Sequence, residues 1–290
     1  MSVNKNSKMI TKSTRTTYWH DALRSIKRAL KAHGTISLAG ETYRVAYEAR
    51  GLKQTHDYAF LKECSRGCKC VWDVGANVGL TGLVMTSGLA EGGVIIALEA
   101  SEASCLIIRE NAFLNKLHNV IRIANTVVAE RSGLLIDFHW DYVSGRSSAV
   151  MEPPSGTSLP LCKTSLSLDD FLRQCDARPE FIKIDVEGAE SRVVAGMLKV
   201  LSDAKPRVVI ELHTWPGTSL RQNAENILSL LESVGYQMVH VRTKQVVEDT
   251  AVFEDFRGPV QAVEARTRVL LLPHSHPLPQ WLTNFDTSKL

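Results

Sequence analysis

The chain has 290 residues, 44% of them hydrophobic and 22% charged, with a formal net charge of +3. That composition is ordinary for a globular protein large enough to bury a core unaided, so neither a disulfide scaffold nor a disordered polymer is in view. Much of the basic excess (Lys5, Lys8, Lys12, Arg15, Arg24, Lys27, Arg28) lies ahead of the first turn signals and reads as a charged tail, which argues against a nucleic-acid face.

Residues 1–17 are polar and acid-free, with no apolar stretch of the kind a secretory signal needs, and are expected to be a disordered leader. No window is apolar enough for a membrane span, so a cytoplasmic chain is expected. Tyr18–His33 spaces Trp19, Leu23, Ile26 and Leu30 along one helical face, and Gly34 can end that helix. TISLAGETYRVAYEAR then alternates about Gly40–Glu41 and predicts a hairpin. Helix and hairpin together make an extension over 18–57.

Cys64, Cys68 and Cys70 follow a C-x3-C-x-C spacing with no paired C-x2-C later in the chain. Reduced thiols at the surface or at a strand edge fit that pattern better than zinc does. Cys105, Cys162 and Cys175 read as small packing residues.

From Tyr58 onward, short apolar runs alternate with helical patterns. Strands are predicted at Val71–Val74, Val94–Leu98, Val120–Ala124, Phe181–Ile184, Val208–Glu211, Gln237–Val241 and Arg268–Leu272. Helices fit Thr81–Leu89, Glu102–Leu117, Ala189–Asp203 and Leu220–Val234. Such alternation gives a doubly wound α/β fold, a mostly parallel sheet covered on both faces. One extra hairpin is expected between Ala124 and Leu168, and another where the last strand closes the sheet. The main domain is thus expected over 58–275, with a C-terminal tail over 276–290.

The first strand runs into VWDVGANVG, Val71 to Gly79. In a doubly wound sheet ligands bind outside the carboxyl ends of strands, so Asp73 and the turn behind it face a binding crevice. Gly75 lets the chain turn sharply, and Gly79 lets the next helix pack close. A dinucleotide fingerprint would need a second glycine where Asn77 stands, and Asp73 would repel a pyrophosphate. A carboxylate there suits a cationic ligand such as S-adenosylmethionine. Glu99 ends the next strand, placed to accept hydrogen bonds from a ribose diol. In FIKIDVEGAE, Phe181 to Glu190, Lys183 and Asp185 share one side of a strand, and Glu187 and Glu190 follow into a helix. Acidic residues suit a first helical turn in any case, but so many charges at one strand end point to ligand binding or catalysis.

These blocks resemble the FkbM family of class I S-adenosylmethionine-dependent methyltransferases. The matching pieces are DVGANVG, ALEAS, RENAFLNKLHNV, LSLDDFL, IKIDVEGAE and VVIELH, in the family's order from about Leu61 to His213. The resemblance implies a Rossmann-like, mostly parallel seven-stranded sheet with an antiparallel final strand, and bound S-adenosylmethionine. By that likeness Asp73, Gly75, Ala76, Asn77 and Gly79 meet the methionine half. Glu99 and the adjoining Ser101 lie at the ribose, and Asn125 near the adenine. Ala100 departs from the family's usual proline.

The resemblance further implies methylation of a hydroxyl on a small molecule or glycan. The hydroxyl must lose its proton, and Asp185, Glu211 and His213 are the candidate bases, with Lys183 orienting. A divalent metal on Asp185, Glu187 and Glu211 is open but not favoured. The rival readings are a nicotinamide-dependent oxidoreductase, whose glycine spacing is missing, and a non-catalytic adenosyl-binding domain. No nucleic-acid or membrane partner is expected, and the sequence leaves acceptor and oligomeric state open.

Overall fold

The computed structural model describes residues 33–49, 57–140, 147–148, 160–214, 218–256 and 266–290. The leader, and all of the helix expected at Tyr18–His33 except His33, lie outside the described residues. Strands follow in chain order as β1 (Gly34–Leu38), β2 (Glu41–Val45), β3 (Cys70–Val74), β4 (Val94–Glu99), β5 (Ile121–Asn125) and β6 (Val127–Val128). Then come β7 (Leu135–Trp140), β8 (Ser147–Ser148), β9 (Pro160–Leu166), β10 (Phe181–Ile184) and β11 (Arg207–His213). The last are β12 (Tyr236–His240), β13 (Gln245–Val246) and β14 (Arg266–Pro273).

The main sheet runs β13-β12-β14-β11-β10-β3-β4-β5. Its centre is parallel, and β14 lies antiparallel between β11 and β12. This is the doubly wound order that the resemblance implies, with the two-residue β13 added to one edge. Side chains along each strand divide by the two-residue period. Trp72, Val74, Ile182, Ile184 and Ile210 pack with the helices Glu190–Ala195, Leu198–Ala204 and Leu220–Leu231. Val71, Ile95, Phe181 and Val209 pack instead with the helices Asp57–Cys64, Leu80–Thr86 and Glu102–Leu114, and with the β1–β2 hairpin. Both faces are therefore buried, which is why these strands read as unbroken apolar runs.

Several expectations need correction. The hairpin turns at Ala39–Gly40, where both residues take positive φ, one position earlier than the alternation placed it. In place of one hairpin after Ala124 there is a small separate sheet, β6-β9-β7-β8. The single helix expected over Ala189–Asp203 is two, broken at Gly196–Met197. Gly196 lies so close to β6's end that a Cβ there would meet the Ala129 carbonyl oxygen at 2.3 Å. The Asp169 carboxylate accepts from Val200 N at 2.9 Å and starts the second helix separately.

The segment read as a tail contains a helix, Gln280–Asn284, and the rings of Trp281 within it and Phe285 just after it pack edge-on against Phe60. Cys64, Cys68 and Cys70 are all buried rather than superficial. Burial pushes their thiols up, Cys70 to about 12, so they stay protonated packing groups. No helix among the described residues is long and apolar enough to cross a membrane.

Candidate active site

The sheet's winding reverses at β3, which has β4 on one side and β10 on the other. Beyond its end the chain doubles back through Gly75 (φ 73), Asn77 (φ 51) and Gly79 (φ 81), all left-handed. Asparagine is among the few side chains that adopt this conformation readily, which gives Asn77 a backbone role that spacing alone does not disclose. Gly75 has no room for anything else, since a Cβ there would lie 1.9 Å from the Asp185 carbonyl oxygen. The ends of β3 and β10 thus abut.

Over these strand ends opens a cleft, partly open to solvent, on which several loops converge. Gly75 and Asn77 line it from the first turn, Leu98 to Ala100 from β4, and Asp185 to Glu187 from β10. Thr126, Val127, Val128 and Phe138 add a largely apolar wall from the small sheet, a part that the sequence patterns did not single out.

Glu99 lies at the cavity floor, 3% exposed. Its Oε2 accepts from the Asn77 amide and its Oε1 from the Ser101 amide, each at 2.7 Å. Burial pushes its carboxyl up to about 7, against the pull of those two N–H groups. Ser101 caps the following helix by accepting from Ser104 N. Asn125 donates to the carbonyls of Glu99 and Ala100. Both residues brace the Glu99 turn and neither lines the cavity.

Asp73 is fully buried and lies beneath the turn rather than in the cavity. The β3–β10 register sets it opposite Lys183, which explains the difference from its expected cofactor-facing position. Thr81 Oγ1 donates to its Oδ2 at 2.6 Å, and Lys183 Nζ stands 3.3 Å from its Oδ1. Lys183 also donates to the Gly75 carbonyl at 2.9 Å and pairs with Asp185 at 3.3 Å. Burial works against the Lys183 charge, but Asp185, Asp73 and Glu211 outweigh it and hold its pKa above the usual value. Ala76 is buried in the turn, and Gly79 packs against Ile108 ahead of the helix Leu80–Thr86.

At the neighbouring strand end, Asp185, Glu187 and His213 come together. His213 is 3% exposed, and its Nδ1 lies 2.9 Å from Glu190 Oε1. Glu190 is fully buried and also accepts from Asn223 Nδ2 and the Gly188 amide. Burial lowers the His213 pKa, but the Glu190 bond and charge, then Asp185 and Glu187, more than compensate and raise it to about 9. Burial likewise raises the Asp185 pKa, while the charges of Lys183 and His213 bring it below the usual carboxylate range. Glu211 is paired with Arg268 at 2.6 Å, and its other oxygen stands 3.7 Å from His213 Nε2.

The helix carrying Asn223 buries Leu220, Ala224 and Ile227, so a buried amide among them was the available signal for this cluster. Glu190 had the reading of a first-turn helix acid, and its partnership with His213 is tertiary.

The sequence matches the family described as methyltransferase FkbM domain over residues 73–238. Among curated proteins none matches. Solved structures to which the chain is similar include three methyltransferases or cofactor complexes. The methyltransferase FkbM from Methylobacillus flagellatus KT has 15% identity and a TM-score of 0.41, covering 79% of this chain and 46% of its own. This chain therefore spans less than half the length of that protein. An O-methyltransferase from Bacillus cereus in complex with SAH has 14% identity and a TM-score of 0.45, covering 91% and 93%. M. jannaschii TYW2 in complex with AdoMet has 12% identity and a TM-score of 0.44, covering 82% and 84%. With its own strand order and a family match over more than half its length, the chain belongs to the methyltransferase FkbM domain family.

Proposed function

We propose that the chain uses S-adenosylmethionine to methylate a hydroxyl of a small molecule or sugar. The observation that carries this reading is Glu99, a carboxylate held by two backbone amides at the floor of a cavity. Its remaining lone pairs suit a ribose diol, and the wall formed by Val127, Val128 and Phe138 suits a flat adenine ring. Asp185 and Glu187 give the opposite side of the cavity an acidic character that complements an ammonium and a sulfonium. The same carboxylates disfavour phosphate- or carboxylate-bearing acceptors and favour a neutral polyol.

S-adenosylmethionine supplies an electrophilic methyl group, and the chain's residues position the acceptor and take its proton. Asp185 is the group we assign to the proton. It is 30% exposed in its side chain, lines the cavity and is kept ionised by Lys183 and His213. An oxygen accepting a methyl cation becomes strongly acidic, so a weak base suffices late in the transfer. With no cation bound, His213 has a pKa near 9, is charged at neutral pH and helps hold Asp185 ionised.

The test is calorimetry with S-adenosylmethionine and with NAD, followed by release of S-adenosylhomocysteine over a panel of polyol and sugar acceptors. Binding of S-adenosylmethionine with acceptor-dependent turnover is expected. Binding of NAD alone would return the chain to the oxidoreductase reading. Donor binding without transfer to any hydroxyl acceptor would leave an adenosyl-binding domain.

A further inference from the structure

The cluster at the ends of β10 and β11 has a feature that proton transfer does not require. His213 Nδ1 is fixed by Glu190, which is itself held by Asn223 and the Gly188 amide. That leaves Nε2 of a side chain only 4% exposed aimed in one direction, toward Asp185 (3.9 Å), Glu187 (3.8 Å) and Glu211 (3.7 Å). These separations exceed hydrogen-bonding distance, and Nε2 makes no hydrogen bond among the described residues. One donor atom from each of Asp185, Glu187 and His213 lies within 4.8 Å of the others. Around a cation with bonds of about 2.1 Å, donor atoms stand roughly 3 to 4.2 Å apart. The gaps from Nε2 to Asp185 and Glu187, 3.9 and 3.8 Å, are of that size. A histidine ligand whose other nitrogen meets a buried carboxylate is also the usual outer-shell arrangement of a metal-bound imidazole.

We propose that Asp185, Glu187 and His213 form a divalent-cation site, with Glu190 as the residue that orients the imidazole. One nitrogen among carboxylate oxygens suits Mn²⁺ or Zn²⁺ better than Ca²⁺ or Mg²⁺, which prefer all-oxygen sets. The role of the ion rests on the methyl-transfer reading above. It would hold the acceptor hydroxyl beside the donor and ease its ionisation. The oxygen–methyl bond then forms as the methyl–sulfur bond breaks, the sulfur keeps the electron pair as S-adenosylhomocysteine, and the hydroxyl proton passes to Asp185 and from there to solvent.

The experiment uses the full chain after dialysis against EDTA. Mn²⁺ is titrated with the free ion followed by electron paramagnetic resonance, Zn²⁺ by calorimetry, and S-adenosylmethionine in a separate calorimetric cell. One Mn²⁺ or Zn²⁺ per chain is expected. Glu187→Gln, at a partly exposed position that should not disturb folding, should weaken it at least tenfold, and Glu190→Gln by roughly ten- to a hundredfold. No binding at millimolar Mn²⁺ or Zn²⁺, or unchanged binding in Glu187→Gln, overturns the cation site. If S-adenosylmethionine still binds in that case, the methyl-transfer reading survives without it. Metal binding in a chain that takes no S-adenosylmethionine overturns the assigned role of the ion instead.

Discussion

Lys183 and Asp73 stand opposite each other on adjacent parallel strands, Nζ to Oδ1 at 3.3 Å, with side-chain exposures of 7% and 0%. The pair is unequal, because Lys183 has other acceptors in Asp185 and the Gly75 carbonyl. Removing the lysine leaves a buried carboxylate with only Thr81, whereas removing the carboxylate leaves a lysine still engaged. Lys183→Met is therefore expected to cost about 3–5 kcal/mol, the usual loss on breaking a buried pair from one side. Asp73→Asn should cost clearly less. Urea denaturation of both variants checks the order, and equal losses would show that the two are interchangeable partners.

Glu99 gives a prediction about the donor. Glu99→Gln removes a charged acceptor and should weaken S-adenosylmethionine binding by about 1.5–3 kcal/mol, roughly ten- to a hundredfold. Because burial raises the Glu99 pKa to about 7, the parent's affinity should climb between pH 6 and 8 as the carboxylate ionises. The variant should be flat over that range in calorimetry. A parent protein with pH-independent affinity would remove Glu99 from the ribose position.

Asp185→Asn keeps the shape and removes the charge. If Asp185 takes the acceptor's proton, turnover should fall by roughly a hundred- to ten-thousandfold. Donor affinity should change much less, because the lost interaction belongs to the transition state. Single-turnover release of S-adenosylhomocysteine, beside a binding isotherm, separates the two quantities. Near-normal turnover would transfer the proton to another group.

His213 makes stability depend on pH in the metal-free protein. Its folded pKa of about 9 is above the ordinary 6.5, so protonation favours the folded state. The contribution, about 3 kcal/mol, is complete below pH 6.5 and fades as pH rises through 9. Chemical denaturation at pH 6, 7.5 and 9.5 should show that decline in the parent and not in His213→Gln.

Much of this architecture was legible in the sequence, for a physical reason. The central strands are buried on both faces, so β3, β10 and β11 appear as continuous apolar runs with their charges gathered at the carboxyl ends. Cavity residues Gly75, Asn77 and Asp185 occur at those ends and Glu99 at the end of β4, where one stretch of chain discloses both strand and site. The small sheet was less legible, because β6 and β8 are two-residue strands with no period to detect. Likewise the Glu190–His213–Asn223 cluster joins residues from separate elements, and only packing brings them together. Asp73 shows the opposite limit. Its place at a strand end suggested a ligand contact, while its register partner Lys183 turned it into an internal counter-ion.

The position of β14 has a consequence for how the chain is made. Among the described residues it follows every other strand in sequence yet sits between β11 and β12, and there β12 otherwise pairs only with β13. Until residues 266–273 have emerged from the ribosome, β11 therefore presents an open edge, and the β12–β13 pair has no strand to join it to the sheet. Nascent chains pass through a stage with two unpaired strand edges, the kind of surface that recruits other chains. Completion of the central sheet therefore waits on Arg266–Pro273, and a chain truncated before Arg266 would keep both edges open and be prone to aggregate.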